Sequence, residues 1–478
     1  MKYQSTRGEI TGLTFQEALF SGFLADSGIV MPETIPKISR QTLASWKDMS
    51  YTDLAKAILP YFISEDEILG TDLNSLLDRA FSRFSHPDIA PVVRLPSGLH
   101  LMELFHGVTW SFKDLALSCV GQFINYFLER KKEHITIVVA TSGDTGSAAI
   151  ESVRGLHWVD IIVMFPRDRL SEVQEKQMTS VTDNNVHVIR VEGSVDDCDN
   201  VIKPCFLDAP FAAKHRLCSI NSINWSRLMV QTVHYFYVYL QLCPTCDQDV
   251  EVIVPTGACG NVTAGVLARE MGLPIRLSCA VTTNNIVDRT VSQGDFSAAE
   301  EVFATLAPAM DIQVPYNMER IWYLVTGGDS ERVSQLMQEF EVEKRVTVPE
   351  DIRHSVSERI VSSSTVTDIQ VKETIRRVSA ENDGYLVCPH TAIGVHHLLH
   401  VAASVPLQAV LATASVCKFE GAVKASGMTL THSAAVKELL EKPVTCVDLK
   451  RDDDWEPFLR KTIEKIWGQR NEDLMRGI

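Results

Sequence analysis

From residue 96 onward, short apolar runs rich in β-branched residues alternate with stretches whose apolar positions recur at helical spacing. Ile135-Thr136-Ile137-Val138-Val139-Ala140 reads as a strand buried on both faces. Before it, Leu117, Val120, Ile124 and Phe127 mark a helix predicted from about Asp114 and closing in Glu129-Arg130-Lys131-Lys132. After it, Thr141-Ser142-Gly143-Asp144-Thr145-Gly146 turns the strand into another helix. The same strand, polar turn and helix recur at Val250 to Val254 with Pro255-Thr256-Gly257-Ala258-Cys259-Gly260-Asn261, and at Ala409 to Leu411 with Ala412-Thr413-Ala414-Ser415. The alternation predicts an α/β fold. Ligands in open α/β sheets bind beyond the carboxyl ends of strands, so the three turns are candidates for one crevice. Residues 1 to about 95 read differently, as a mostly helical amino-terminal domain ending in Ser85-His86-Pro87-Asp88 and Pro91.

Length changes this picture by demanding more than one core, since 478 residues exceed what one usually serves. Two α/β lobes are expected in 96–478, a smaller one at about 131–235 and a larger one mainly at 236–478. A formal net charge of −16 disfavours nucleic acid and anionic lipid as partners, so an anionic substrate must meet a local cluster of donors. Apolar runs such as Leu398 to Val416 are interrupted, there by His400, Pro406 and Gln408, and none resembles a spanning helix of roughly 20 residues. The opening Met1-Lys2-Tyr3-Gln4-Ser5-Thr6-Arg7-Gly8-Glu9 has neither a secretory apolar core nor transit-peptide character, and a cytoplasmic location is expected. Eleven scattered cysteines argue for reduced thiols. Cys243-Pro244-Thr245-Cys246 lacks nearby partners for a metal and reads as a loop after a helix from Trp225 to Leu240.

Several segments could carry chemistry, each with a plainer alternative. Lys113, in Trp110-Ser111-Phe112-Lys113-Asp114, opens a helix among bulky rings; burial there disfavours the ammonium and would give a nucleophilic amine, whereas a surface lysine would lay its stem along the rings. Gly257-Ala258-Cys259-Gly260-Asn261 could cradle a phosphate with backbone N–H groups, or be a simple strand-to-helix turn. Thr141, Ser142, Gly143, Asp144 and Thr145 offer hydroxyls and amides suited to a carboxylate. Asn221-Ser222-Ile223-Asn224-Trp225-Ser226-Arg227 could bind a second phosphate, or equally be a capped helix with Arg227 in an ion pair. His390, in Cys388-Pro389-His390-Thr391, reads as a base or as a hydrogen-bonded turn residue.

Taken in order, these motifs resemble those of threonine synthase, a fold-type II pyridoxal-phosphate enzyme with a tryptophan synthase β-like fold. The resemblance spans nearly the whole chain: Ser5-Thr6-Arg7-Gly8 and Gly22-Phe23-Leu24-Ala25-Asp26-Ser27-Gly28, Glu103 to Gly107, Phe112-Lys113-Asp114, Thr141 to Gly146, Asn221 to Arg227, Gly257 to Asn261, and Pro389-His390-Thr391-Ala392. It implies that Lys113 carries pyridoxal 5'-phosphate as a Schiff base, that Gly257 to Asn261 hold the cofactor phosphate, and that Thr413 hydrogen-bonds the pyridine nitrogen. A hydroxyl there makes the ring a weaker electron sink than an aspartate would, which suits elimination and replacement. It further implies that Thr141 to Thr145 receive a substrate carboxylate, and that Ser111, Asn221, Asn224 and Arg227 are candidates for a substrate phosphate. One departure stands out. Threonine synthases commonly follow the cofactor-contacting threonine with Ala-His-Pro-Ala-Lys-Phe, whereas this chain reads Ala414-Ser415-Val416-Cys417-Lys418-Phe419. The expectation is therefore a phospho-lyase giving 2-oxobutyrate, ammonia and phosphate from O-phosphothreonine or O-phosphohomoserine. A threonine synthase, a serine or threonine dehydratase and a non-catalytic binding protein are the alternatives.

Overall fold

A computed structural model describes residues 1–476. The chain forms two compact units, one of residues 1–116 and 222–430, the other of residues 117–221 and 431–478.

The first unit is organised on a six-stranded sheet in the order Ile360–Thr365, Ile275–Val281, Val250–Pro255, Leu407–Ala412, His100–Glu103, Val92–Arg94. All neighbours are parallel except the last pair, which is antiparallel. Val250–Pro255 is buried at every position, which explains its continuous apolar character, Glu251 excepted. That buried carboxylate is satisfied by Ser278, Ser404 and Gln408. A core of Leu101, Ile253, Ala280 and Val410 from the strands and Ile375, Ala392 and Val395 from helices Asp368–Glu381 and Pro389–His400 backs the sheet.

The parallel register decides where a site can form. Val250–Pro255, Leu407–Ala412 and His100–Glu103 are consecutive and point the same way, so their carboxyl ends share one edge of the sheet. From that edge lead the Gly257 turn, Thr413, and the loop that reaches Lys113.

The amino-terminal segment belongs to this unit and braces it. Strands Tyr3–Ser5 and Val30–Pro32 pair antiparallel. Thr6 and Arg7 bond Glu319, and the Val30 carbonyl accepts from Arg320.

The second unit holds a fully parallel sheet in the order Val447–Leu449, Val186–Val191, Val159–Pro166, Ile135–Ala140, Leu217–Cys218. Residues 431–478 join this smaller unit instead of the larger lobe expected from the sequence. The physical reason is twofold: Val447–Leu449 pairs with Val186–Val191, and Leu459, Ile463 and Ile466 of the Trp455–Arg476 helix pack on Val138, Ile162 and Ile189. Among the described residues, no helix is long and apolar enough to cross a membrane.

Candidate active site

Lys113 is the first residue of the Lys113–Lys131 helix, as the sequence pattern predicts within one residue. The loop before it is stitched to the end of Leu407–Ala412. Leu104 N–H donates to the Ala412 carbonyl (3.0 Å), Phe112 N–H to the Thr413 carbonyl (2.8 Å) and Ser415 N–H to the Trp110 carbonyl (3.0 Å). Ser111 and Ala414 face each other in an antiparallel bridge. Lys113 and Thr413, far apart in sequence, thus lie on adjoining backbone. Trp110 adopts a left-handed φ of 59°, a conformation that a bulky residue holds only when its surroundings fix it.

Asp114 is the main fixture. Its carboxylate accepts from Thr109 N–H (2.8 Å) and Thr109 Oγ1–H (2.6 Å), closing the loop upon itself. Gly107 is required here, because a Cβ would lie 2.4 Å from the Asp114 Cβ. Burial raises the Asp114 pKa to about 6, against the opposing pull of the Thr109 hydrogen bonds and of Lys418. Lys418 is fully buried and donates to the Thr109 carbonyl at 2.7 Å. Lys113 itself is half-buried, its Nζ 4.5 Å from the centre of the Phe112 ring.

The Gly257 turn joins Val250–Pro255 to the Gly260–Glu270 helix. Cys259 takes a left-handed conformation (φ 62°) and supplies no side-chain cap. The first-turn amides of a helix have no intrahelical partner, so this end is open to an anion. Gly257 is approached by backbone: a Cβ would lie 3.0 Å from the Ala309 carbonyl and 3.1 Å from the Met310 Cα. The Cys259 thiol is buried, which pushes its pKa up and keeps it protonated.

Asn317 and Arg320 tie this turn to Ser222 and Ile223. Asn317 Nδ2 donates to the Ala258 carbonyl (3.0 Å) and Ser222 Oγ (3.4 Å). Arg320, wholly buried, donates to Asn317 Oδ1 (2.6 Å) and the Ile223 carbonyl (2.6 Å). Asn224 caps the Trp225–Leu242 helix: its Oδ1 accepts from Ser226 N–H (3.0 Å), while its Nδ2 donates to the Leu19 carbonyl (2.8 Å). This amide serves the fold at both ends, the capped-helix alternative of the sequence analysis. Arg227 is buried in the first turn, and burial draws its pKa down to about 10, which leaves it cationic at neutral pH.

His390 is not in a turn. It is the second residue of the Pro389–His400 helix and packs on Phe419, with ring centres 4.8 Å apart. A cavity of about 290 Å³ opens at these strand ends, lined among others by Glu103, Phe105, Tyr385, Cys388, Ala414 and Ser415. The Ser415 hydroxyl accepts from the Cys417 amide (3.4 Å) and so caps the short Val416–Lys418 turn.

In the second unit, Thr141 Oγ1 accepts from the amides of Gly143 (3.0 Å) and Gly146 (3.1 Å), and Asp144 Oδ1 accepts from Gln174 Nε2 (2.9 Å). Ser142 and Thr145 are the half-exposed hydroxyls of this turn. Asn221 is also in this unit, and its Oδ1 is buried without a hydrogen-bond partner among the described residues.

Lys418, Asn317 and Arg320 were not singled out in the sequence. The signal for Lys418 and Arg320 is a charge inside an apolar run, as in Val416-Cys417-Lys418-Phe419 and Met318-Glu319-Arg320-Ile321-Trp322, since charged residues are rarely buried unless paired; Asn317 carries no such signal.

Comparison with known proteins agrees with this architecture. Residues 2–81 match the threonine synthase N terminus, and residues 89–348 match the pyridoxal-phosphate dependent enzyme family. The chain is 48% identical to threonine synthase-like 2 of Mus musculus over 481 residues, 99% of each chain. Among solved structures, it resembles pyridoxal-phosphate-bound threonine synthase from Brucella melitensis, with a TM-score of 0.91, 36% identity, and coverage of 97% of this chain and 98% of that one. Yeast threonine synthase matches with a TM-score of 0.89 and 33% identity over 99% of both chains. The chain therefore belongs to the threonine synthase family of fold-type II enzymes, whose cofactor is pyridoxal 5'-phosphate.

Proposed function

We propose that this protein is a phospho-lyase that removes phosphate from O-phosphothreonine or O-phosphohomoserine, giving 2-oxobutyrate, ammonia and phosphate. The observation that carries this reading is the conduct of the segment after Thr413. Making threonine requires water to be placed at Cβ, and where threonine synthases commonly carry a histidine this chain has Ser415, whose Oγ accepts from the Cys417 amide. Elimination asks for no such group.

The residues present fit the cofactor. The open amides at the start of Gly260–Glu270 suit its phosphate, as does the Asn261 Nδ2, buried without a hydrogen-bond partner among the described residues. The Ser111 hydroxyl, likewise buried and without such a partner, lies two residues from Lys113. When bound, pyridoxal phosphate supplies an electron-withdrawing ring that acidifies the Cα–H of an amino acid.

The remaining work falls to side chains. Lys113 is the residue assigned to hold the cofactor and, once released from it, to take the Cα proton on Nζ. Thr413 is assigned to the pyridine nitrogen. Arg227, with Ser111 and Asn221, is assigned to the substrate phosphate, where a buried cation lowers the cost of the departing charge. Asn224 is assigned to the frame that holds Arg227. The carboxylate is assigned to the hydroxyls and amides of Ser142 and Thr145, with Thr141, Gly143 and Asp144 shaping that turn. Phosphate leaves from Cβ of O-phosphothreonine; the released 2-aminocrotonate takes up water, yielding 2-oxobutyrate and ammonia.

A threonine synthase is the second reading, favoured by the nearly full-length match to a solved threonine synthase. Incubation with each phosphorylated amino acid separates the two. Equivalent phosphate and 2-oxobutyrate are expected. Threonine formed from O-phosphohomoserine would replace the lyase with the synthase, and no phosphate from either substrate would overturn both. Lys113→Ala is expected to reduce turnover by at least about a thousandfold with the fold retained.

A further inference from the structure

The Trp225–Leu242 helix is buried from Trp225 to Leu240 and packs on Gly260–Glu270. Gly265 permits this approach, because a Cβ there would lie 2.8 Å from two ring carbons of Tyr235. The Tyr235 hydroxyl thereby reaches Asn261, 2.9 Å from its backbone oxygen and 2.8 Å from its Oδ1. His234 Nε2 lies 2.9 Å from the same Oδ1. An amide oxygen only accepts, so Nε2 carries the proton. Burial draws the His234 pKa down to about 4, so the ring is a neutral donor at physiological pH. With its oxygen held by these two side chains, the Asn261 amide turns its Nδ2 the other way. That atom is buried without a protein hydrogen-bond partner among the described residues, in a side chain only 8% exposed.

We propose that His234 and Tyr235 are positioning residues that lock the Asn261 amide so that Nδ2 donates to the cofactor phosphate. The inference rests on reading Gly257 to Asn261 as the phosphate seat. An amide free to flip would present its oxygen to a dianion in part of the population; one held on two donors presents only N–H. Neither side chain touches the cofactor in this scheme. The helix that carries them sets how tightly the phosphate end is gripped.

The test compares two ligands that differ only in the phosphate. Full-length protein stripped of cofactor is titrated with pyridoxal 5'-phosphate and, separately, with pyridoxal, following the absorbance of the bound ring. The wild type is expected to prefer the phosphorylated form. Asn261→Ala, Tyr235→Phe and His234→Leu are each expected to weaken pyridoxal 5'-phosphate about tenfold and leave pyridoxal unchanged, the loss of roughly one charge-assisted hydrogen bond. His234→Gln, whose amide N–H can donate to the same oxygen, should restore most of the affinity. Tyr235→Phe added to Asn261→Ala should change nothing further.

If Asn261→Ala loses the preference while Tyr235→Phe and His234→Leu keep it, the positioning role is overturned and the phosphate seat stands. If Tyr235→Phe and His234→Leu weaken both ligands alike, their role is structural and the proposal is overturned. A wild type that binds both ligands equally would overturn the phosphate seat itself.

Discussion

Two turns of the same form, one in each unit, use their backbone donors in opposite ways. Both follow a buried parallel strand and open a helix: Thr141 to Gly146 after Ile135–Ala140, and Thr256 to Asn261 after Val250–Pro255. In the first, the threonine hydroxyl bonds the amides of Gly143 and Gly146, so two amides of the turn are held by its own side chain. In the second, the corresponding hydroxyl of Thr256 donates back to the Val254 carbonyl at 2.7 Å, and the helix start has no side-chain cap. A glycine-rich turn is therefore not an anion site by virtue of its glycines. Only the amides that no side chain has taken first are left for an anion.

The sharpest way to break this contrast is through the two glycines. Gly143 has φ 143°, and a Cβ would lie 2.5 Å from the Gln174 Nε2 that bonds Asp144. Gly143→Ala is expected to destabilise the second unit by about 3 kcal/mol, read as a lower urea midpoint. Thr141→Val follows in size: it leaves two amides without their acceptor and should cost about 2 kcal/mol by the same measurement. Gly257→Ala should act differently. Its backbone need move only a few tenths of an ångström from Ala309 and Met310, but the open amides move with it. We expect about tenfold weaker cofactor binding, with less than about 1 kcal/mol lost in stability. If Gly257→Ala instead behaved like Gly143→Ala, the two turns would be alike in kind.

Periodicity alone located both turns, because local pattern governs them. Ile135–Ala140 has the predicted bounds, Val250–Pro255 and Trp225–Leu242 differ from prediction by one or two residues, and Cys243 to Cys246 falls between a helix and a strand. Strand order was not legible in the same way. Nothing in Leu407–Ala412 says that it pairs with both Val250–Pro255 and His100–Glu103, since that choice is made by distant partners of similar apolar character. The same holds for residues 431–478, whose place depends on pairing with Val186–Val191. Within the candidate site, motif reading names residues assigned to a ligand and does not name those that hold the loops around them. Asn317, Arg320 and Lys418 act on backbone carbonyls 59 to 309 residues away, a relation with no local signature. Asn224 shows the converse, a motif residue engaged in a helix cap and on Leu19.

The smallest expected effect tests the contrast most directly, because it asks the two threonines the same question. Thr256→Val removes a hydroxyl that donates to the Val254 carbonyl and also meets the Cys279 thiol, and the methyl that replaces it leaves no amide stranded. Its cost should be about 0.5–1 kcal/mol, the net worth of one ordinary hydrogen bond, with cofactor affinity unchanged. Thr141→Val deletes an acceptor shared by two donors, so its larger cost comes from what it leaves behind rather than from the bond it removes. Equal losses at the two positions would mean that the hydroxyls do the same job, and the contrast between amides held by a threonine and amides left open would fail.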